Sequence, residues 1–233
     1  CLSYASPKQI HAVTQYKKCA ERALKNIVNE GKLPIVCGGT GLYIDTFIYN
    51  QSIPEVPPNP KLRTRLNKFG AKALYTKLKQ LDPERAKTID RKNPRRLIRA
   101  LEIVIATKEK IPPIYRNSNY DVLWLGIKIS ETKVKNRIHA RLMQRMQRGL
   151  VGEIKNLHKQ GLSYKRLNDL GLEYRYVALY LKDELSKNEM MEKLEREIWR
   201  YSKRQMTWFK RNSEIKWISN KNEALGLVKK FLD

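Results

Sequence analysis

Apolar residues recur at three- and four-residue intervals through Ala20, Ala23, Leu24 and Ile27. That spacing predicts a helix that Ser6-Pro7 can start and Gly31 stops. The period then changes. Residues 33–37, LPIVC, are continuously apolar, the pattern of a parallel strand covered on both faces, and helical spacing resumes over 42–49 after a pair of glycines. Helix, strand, loop and helix in that order make an α/β signature. Pro54, Pro57, Pro58 and Pro60 then forbid regular structure and mark a change of unit.

From residue 61 to about 112 the pattern is helical throughout. Asn93-Pro94 supplies an N-cap followed by Pro at the first helical position, and Leu97, Leu101 and Val104 form the apolar stripe of the helix it begins. A second apolar run, 122–129, predicts a central strand. Helical spacing follows over 132–159, with a break near Gly149, and over 186–211, before a short strand at 216–218 and a closing helix. The expected fold class is therefore α/β, a parallel-sheet core made of residues 1–55 and 117–233 and interrupted by an all-helical insertion at 56–116.

Composition narrows the partners. Lys and Arg number 48 against 23 Asp and Glu, a net charge of +25 on 233 residues, which points to a polyanion, with nucleic acid ahead of an anionic membrane surface. No run of about 18 apolar residues exists to span a bilayer, and the first ten residues lack the basic-then-apolar layout of a signal peptide; a cytoplasmic protein is expected. Three cysteines (Cys1, Cys19, Cys37) and three histidines show none of the close spacings of metal sites, which argues against structural zinc, and the odd cysteine count fits reduced thiols. The opening on Cys1 without an initiator methionine reads as a fragment.

Four stretches carry candidate chemistry. Gly38 and Gly39 let the backbone turn at the end of the predicted strand, and Thr40 stands at the mouth of the next helix, where free N–H groups attract electron-rich ligands; the plainer reading is a close turn and an N-cap. Arg95, Arg96 and Arg99 lie within one helical turn, just after Arg91 and Lys92, as a solvated face or as a grip for phosphates and an unpaired base. Arg137, Arg141 and Arg145 recur every fourth residue, fixed cations for a diphosphate if that face lines a cleft. Arg196, Arg200, Lys203 and Arg204 share a face of the 186–211 helix, where Trp199, Trp208 and Phe209 serve as core or as stacking platforms. No G-x-x-x-x-G-K-[ST] motif occurs.

Taken in order, SPKQIHAVTQYKKCAERALKNIVNEGKLPIVCGGTGLYID, NPRRLIRALEI, RIHARLMQRMQRGLVGEIKNL and YSKRQMTWFKRNSEIKWI resemble the tRNA dimethylallyltransferase family, also called tRNA isopentenyltransferases, over essentially the whole chain. The resemblance implies a P-loop-type α/β core with a helical insertion. It implies transfer of a dimethylallyl group from dimethylallyl diphosphate to the exocyclic amine of the adenosine beside the anticodon, with Mg²⁺ as cofactor. The implied partners are a tRNA anticodon stem-loop and dimethylallyl diphosphate, with no membrane, for a monomer. Thr40 is then similar to the threonine that contacts the amine, and Arg141 and Arg137 to arginines near the diphosphate. Arg63, Arg95, Arg96, Arg99, Tyr174, Arg175, Lys203, Arg204, Gln205 and Thr207 resemble tRNA contacts. The family's P-loop with its Mg²⁺ ligands, its first strand and its catalytic aspartate have no counterpart here, so the fragment is expected to be inactive alone. Glu173 stands where glycine is common in the family, and the backbone at Tyr174 and Arg175 is expected to shift. The alternatives are prenylation of free adenine nucleotides, which needs neither the insertion nor the large positive charge, and a noncatalytic RNA-binding module.

Overall fold

The computed structural model describes Cys1, residues 5–113, Tyr115 and residues 117–233. Along the chain these form α1 (Val13–Asn29), α2 (Gly41–Ile48), α3 (Pro60–Leu66), α4 (Ala71–Leu81), α5 (Pro83–Thr88), α6 (Pro94–Thr107), β1 (Leu125–Ile127), α7 (Glu131–Gln147), α8 (Leu150–Lys159), α9 (Tyr164–Leu170), α10 (Leu172–Leu181), α11 (Lys187–Phe209), β2 (Lys216–Ile218) and α12 (Lys221–Leu232). They divide into two compact units. One comprises Cys1–Ala12, Ala23–Ile44 and Asp121–Asp233, the other Val13–Arg22 and Asp45–Tyr120.

In the second unit one local device starts three helices. Asn59-Pro60, Asp82-Pro83 and Asn93-Pro94 each place a side-chain acceptor at the N-cap and a proline at the first helical position, and the caps accept from Leu62 N–H at 3.0 Å, Arg85 N–H at 3.0 Å and Arg96 N–H at 3.3 Å. Proline costs nothing there because its missing N–H would have had no partner in the helix. The apolar faces of α3 to α6 close on Leu66, Leu74, Leu78, Leu97 and Leu101, all essentially buried, each stabilising the core by about 1.5–3 kcal/mol. Asp82 is buried too, and its second oxygen accepts from Ile111 N–H at 2.8 Å, which ties the exit of the bundle to the start of α5.

In the first unit Leu125 pairs with Lys216, Gly126 with Trp217 and Ile127 with Ile218, in parallel register. A parallel pair requires a long crossover, here supplied by α7 to α11. Leu150, Ile154, Leu167, Val177 and Met190 form the core of that helical layer. Ser186 begins α11 with a capping box, its hydroxyl accepting from Glu189 N–H while the Glu189 carboxylate accepts from Ser186 N–H at 2.8 Å.

Several expectations need correction. Residues 33–37 are not a strand: the segment has no ladder, and Leu33, Ile35 and Val36 are exposed by 52%, 80% and 42%. An apolar run becomes a buried strand only where a neighbour pairs with it, and among the described residues the sheet is β1 and β2 alone. The 122–129 strand shrinks to β1 for the same reason. The first helix begins at Val13 and not at Ser6-Pro7; the Pro7 carbonyl is engaged by Arg166 Nε at 2.7 Å and that of Gln9 by the same guanidinium, so neither feeds a helical ladder. Cys37 is a free, exposed thiol. Glu173, Tyr174 and Arg175 lie within α10.

Candidate functional site

The glycine turn is built by close approach. Gln205 Nε2 of α11 donates to the Gly39 carbonyl at 2.9 Å, and a Cβ at Gly39 would stand 2.3 Å from that nitrogen. At Gly41 an added Cβ would fall 2.1 Å from Cδ1 of the Trp208 ring. Neither glycine has positive φ, so what they supply is the absence of a side chain. Gly38, by contrast, has room for one. The sequence reading singled out Gly38 and Gly39; the structure makes Gly39 and Gly41 the demanding pair.

Thr40 lies between them. Its carbonyl accepts from Tyr43 N–H at 2.9 Å and Ile44 N–H at 3.2 Å, as the residue before α2 should. An N-cap threonine ordinarily turns its hydroxyl onto one of the first helical N–H groups. Here the hydroxyl has no hydrogen-bond partner among the described residues, and the side chain is exposed. It is a free donor and acceptor on a turn held from both sides.

α11 also carries the basic face and packs on α7. Lys135 Nζ lies 5.1 Å and Lys203 Nζ 5.4 Å from the centre of the Trp199 ring, and His139 Nδ1 meets Glu195 Oε2 at 3.1 Å. Trp199 is thus a cation-flanked packing residue. Because Lys135 faces Trp199 and His139 faces Glu195, the helices run antiparallel. At 1.5 Å per residue Arg137 lies level with a point about 12 Å along α11 from Gln205, and Arg141 about 18 Å. Both arginines are exposed and have no ion-pair partner among the described residues; Arg145 faces Glu153 at 3.5 Å. On α11, Lys203, Arg204 and Thr207 are exposed, with Arg204 over the Tyr201 ring at 5.7 Å and the Thr207 hydroxyl donating to the Lys203 carbonyl at 2.9 Å.

Elsewhere in this unit, the Tyr174 hydroxyl donates to Glu153 at 2.5 Å. Burial, together with that carboxylate, pushes the phenol up to about 12. Arg175 donates to the Asn168 carbonyl at 3.2 and 3.3 Å, closing the last turn of α9.

In the other unit the arginines are organised by a residue the sequence reading passed over. Glu102 is 1% exposed. Its Oε1 accepts from Asn59 N–H at 2.6 Å and Arg63 Nε at 2.9 Å, and its Oε2 from Arg63 at 2.7 Å and Arg99 at 2.7 Å. Burial by itself would raise this carboxyl, but the hydrogen bonds from Arg63, the Asn59 N–H and Arg99 outweigh it and hold the group at about 2. Arg63 and Arg99 therefore form one fixed cationic fork, with side chains 40% and 36% exposed. Arg95 and Arg96 are exposed and their guanidinium groups have no partner among the described residues. The signal for Glu102 was present: a lone acid three residues after Arg99, on the helix that carries Leu97, Leu101 and Val104.

A family profile described as IPP transferase matches residues 1–212. The chain is 36% identical over 225 residues to tRNA dimethylallyltransferase 1 of Geotalea uraniireducens, covering 94% of this chain and 74% of that protein. It is 35% identical over 227 residues to the tRNA dimethylallyltransferase of Acetivibrio thermocellus, covering 94% and 72%. Among solved structures, the full-length tRNA isopentenylpyrophosphate transferase of Bacillus halodurans superposes with a TM-score of 0.67 at 27% identity, covering 99% of this chain and 75% of that one. A eukaryotic dimethylallyltransferase acting on tRNA shares the fold, with a TM-score of 0.69 at 20% identity over 93% and 58%. The fold is that of these solved transferases, here mostly helical with a small two-stranded parallel sheet.

Proposed function

The chain belongs to the IPP transferase family, and we infer that it is a tRNA dimethylallyltransferase whose acceptor is the exocyclic amine of the adenosine beside the anticodon and whose donor is dimethylallyl diphosphate. The unpartnered Thr40 hydroxyl carries the reading of the site. It accepts a hydrogen bond from the acceptor amine and so aims the nitrogen at the incoming allyl carbon. The surrounding fold is read as a P-loop-type core, residues 1–55 and 117–233, and a tRNA-binding helical insertion, 56–116.

Departure of the diphosphate leaves allylic cation character, and fixed cations beside the leaving group lower that barrier. Arg137 and Arg141 are unpaired and available for this part. The adenine has to leave its stack at a cost of about a few kcal/mol. Contacts from Arg95, Arg96, the Arg63–Arg99 fork, Lys203, Arg204 and Thr207 to phosphates and neighbouring bases offset it. Tyr174 and Arg175, held by Glu153 and by the Asn168 carbonyl, are tRNA contacts in the same reading. Mg²⁺ is the metal implied by the resemblance, but the described residues gather no group of three His, Cys, Asp or Glu side chains. They make no cage for it, and no step here runs through the metal. No described helix is long and apolar enough to cross a membrane.

The test is titration of anticodon stem-loop RNA, of an unrelated RNA hairpin and of AMP at two salt concentrations. Salt-steep binding with preference for the anticodon stem-loop is expected. Equal affinity for any RNA, or preference for AMP, overturns the reading.

A further inference from the structure

The turn that presents Thr40 has no ladder of its own, yet α11 grips it on both sides of the hydroxyl. Gln205 and Trp208 are three residues apart on α11, hence on one face and about 4.5 Å apart along its axis. Gly39 and Gly41, two residues apart in the turn, receive them, one by a hydrogen bond to its carbonyl at 2.9 Å and one by ring contact too close for any Cβ. Thr40 lies between the two grips with its hydroxyl exposed and unpartnered. Gln205 is half-buried, and one of its two amide hydrogens is engaged by the Gly39 carbonyl.

We propose that Gln205 and Trp208 are positioning residues which, through Gly39 and Gly41, fix the Thr40 hydroxyl for selection of a purine bearing an exocyclic amine. The proposal rests on the reading of Thr40 as the amine contact and deepens it. Recognition of one N–H group needs the acceptor held within about 0.5 Å, and an exposed turn of glycines and threonine does not hold itself. Gln205 thus acts on the substrate through the backbone of residue 39 and not by contact with the RNA.

The geometry supplies a perturbation that leaves α11 untouched. In Gly39→Ala the new Cβ meets only the end of a flexible side chain, so Gln205 swings aside, its hydrogen bond is lost, and the variant mimics Gln205→Ala. The experiment uses the whole chain and two synthetic anticodon stem-loops, with adenosine or with purine riboside, which lacks the amine, beside the anticodon. The readouts are the affinity ratio for the two RNAs and hydrogen exchange at the Tyr43 and Ile44 amides, which bond to the Thr40 carbonyl. Thr40→Val abolishes a preference of roughly tenfold for adenosine, the size of one hydrogen bond, without faster exchange. Gln205→Ala and Gly39→Ala each reduce the preference by roughly threefold or more and speed exchange, while binding of the purine riboside RNA is unchanged. If Thr40→Val abolishes the preference and both other variants leave it intact, the positioning proposal is overturned and the Thr40 reading stands. If Thr40→Val leaves the preference intact, the reading falls and the proposal with it.

Discussion

Replacing Glu102 by glutamine keeps its volume and removes the charge on which Arg63, Arg99 and the Asn59 N–H converge. The carboxyl lies at about 2 against an ordinary 4.5. At 1.36 kcal/mol per unit, the difference corresponds to about 3 kcal/mol of folded-state preference for the charged form. Arg63 and Arg99 are partly exposed and can rehydrate when the charge is gone, and solvent screens them, so E102Q is expected to cost about 2–3 kcal/mol, below the 3–5 typical of a broken fully buried pair. The sign follows from the depressed value: the contribution is complete above pH 4.5 and is lost as the pH falls through about 2. Urea unfolding followed by circular dichroism, at about pH 7, 5.5 and 2.5, should show a gap between wild type and E102Q that is full at the first two and mostly closed at the third. A gap under about 0.5 kcal/mol at neutral pH, or one that stays constant down to the most acidic point, refutes the reasoning.

Leu97→Ala opens a cavity in the fully buried centre of the α3 to α6 bundle and should cost about 2–5 kcal/mol in the same unfolding assay, whereas exposed Leu81→Ala should cost well under 1 kcal/mol. Ser186→Ala removes the capping box of α11 and should cost about 1 kcal/mol, with increased hydrogen exchange confined to the first turn of that helix. Arg95→Ala and Arg96→Ala, whose guanidinium groups are free, should each lower the slope of log affinity against log salt for stem-loop RNA by about 1 and leave stability within about 0.5 kcal/mol. Loss of stability without a change in slope would make them structural and not phosphate contacts.

What the sequence made legible were features whose cause is local. Asn93-Pro94 predicted the start of α6 because both the cap acceptor and the proline act within one turn, and the same device at Asn59-Pro60 and Asp82-Pro83 was readable on the same grounds. The strand expected at 216–218 proved to be β2. The errors came where the cause is a distant partner. LPIVC has the apolar run of a buried strand, yet pairing is not a property of a segment, and without a neighbour it has no ladder and leaves Leu33, Ile35 and Val36 exposed. Glu102 reads as an ordinary helix acid until Asn59 and Arg63, 43 and 39 residues away, are brought to it.

The glycine turn joins both cases and shows why half of the site was readable. That GGTG needs glycine is evident from the sequence, but which glycine, and why, depends on Gln205 and Trp208, more than 160 residues downstream. Once they are in place the logic of the motif changes. Gly39 and Gly41 are small so that a helix can approach, and Thr40 is spared from capping its own helix because α11 already fixes the turn. A hydroxyl left free in this way has stability to gain by turning inward onto an N–H of α2, by about 1 kcal/mol for a threonine cap. Its exposure is therefore a stability cost that the fold does not recover internally, the kind of local inconsistency expected where a residue serves a ligand. Thr40→Asp tests this directly: a stronger cap at the same position should raise stability while abolishing the preference for adenosine over purine riboside, and a variant that loses stability, or keeps the preference, would show that the turn and not the ligand dictates residue 40.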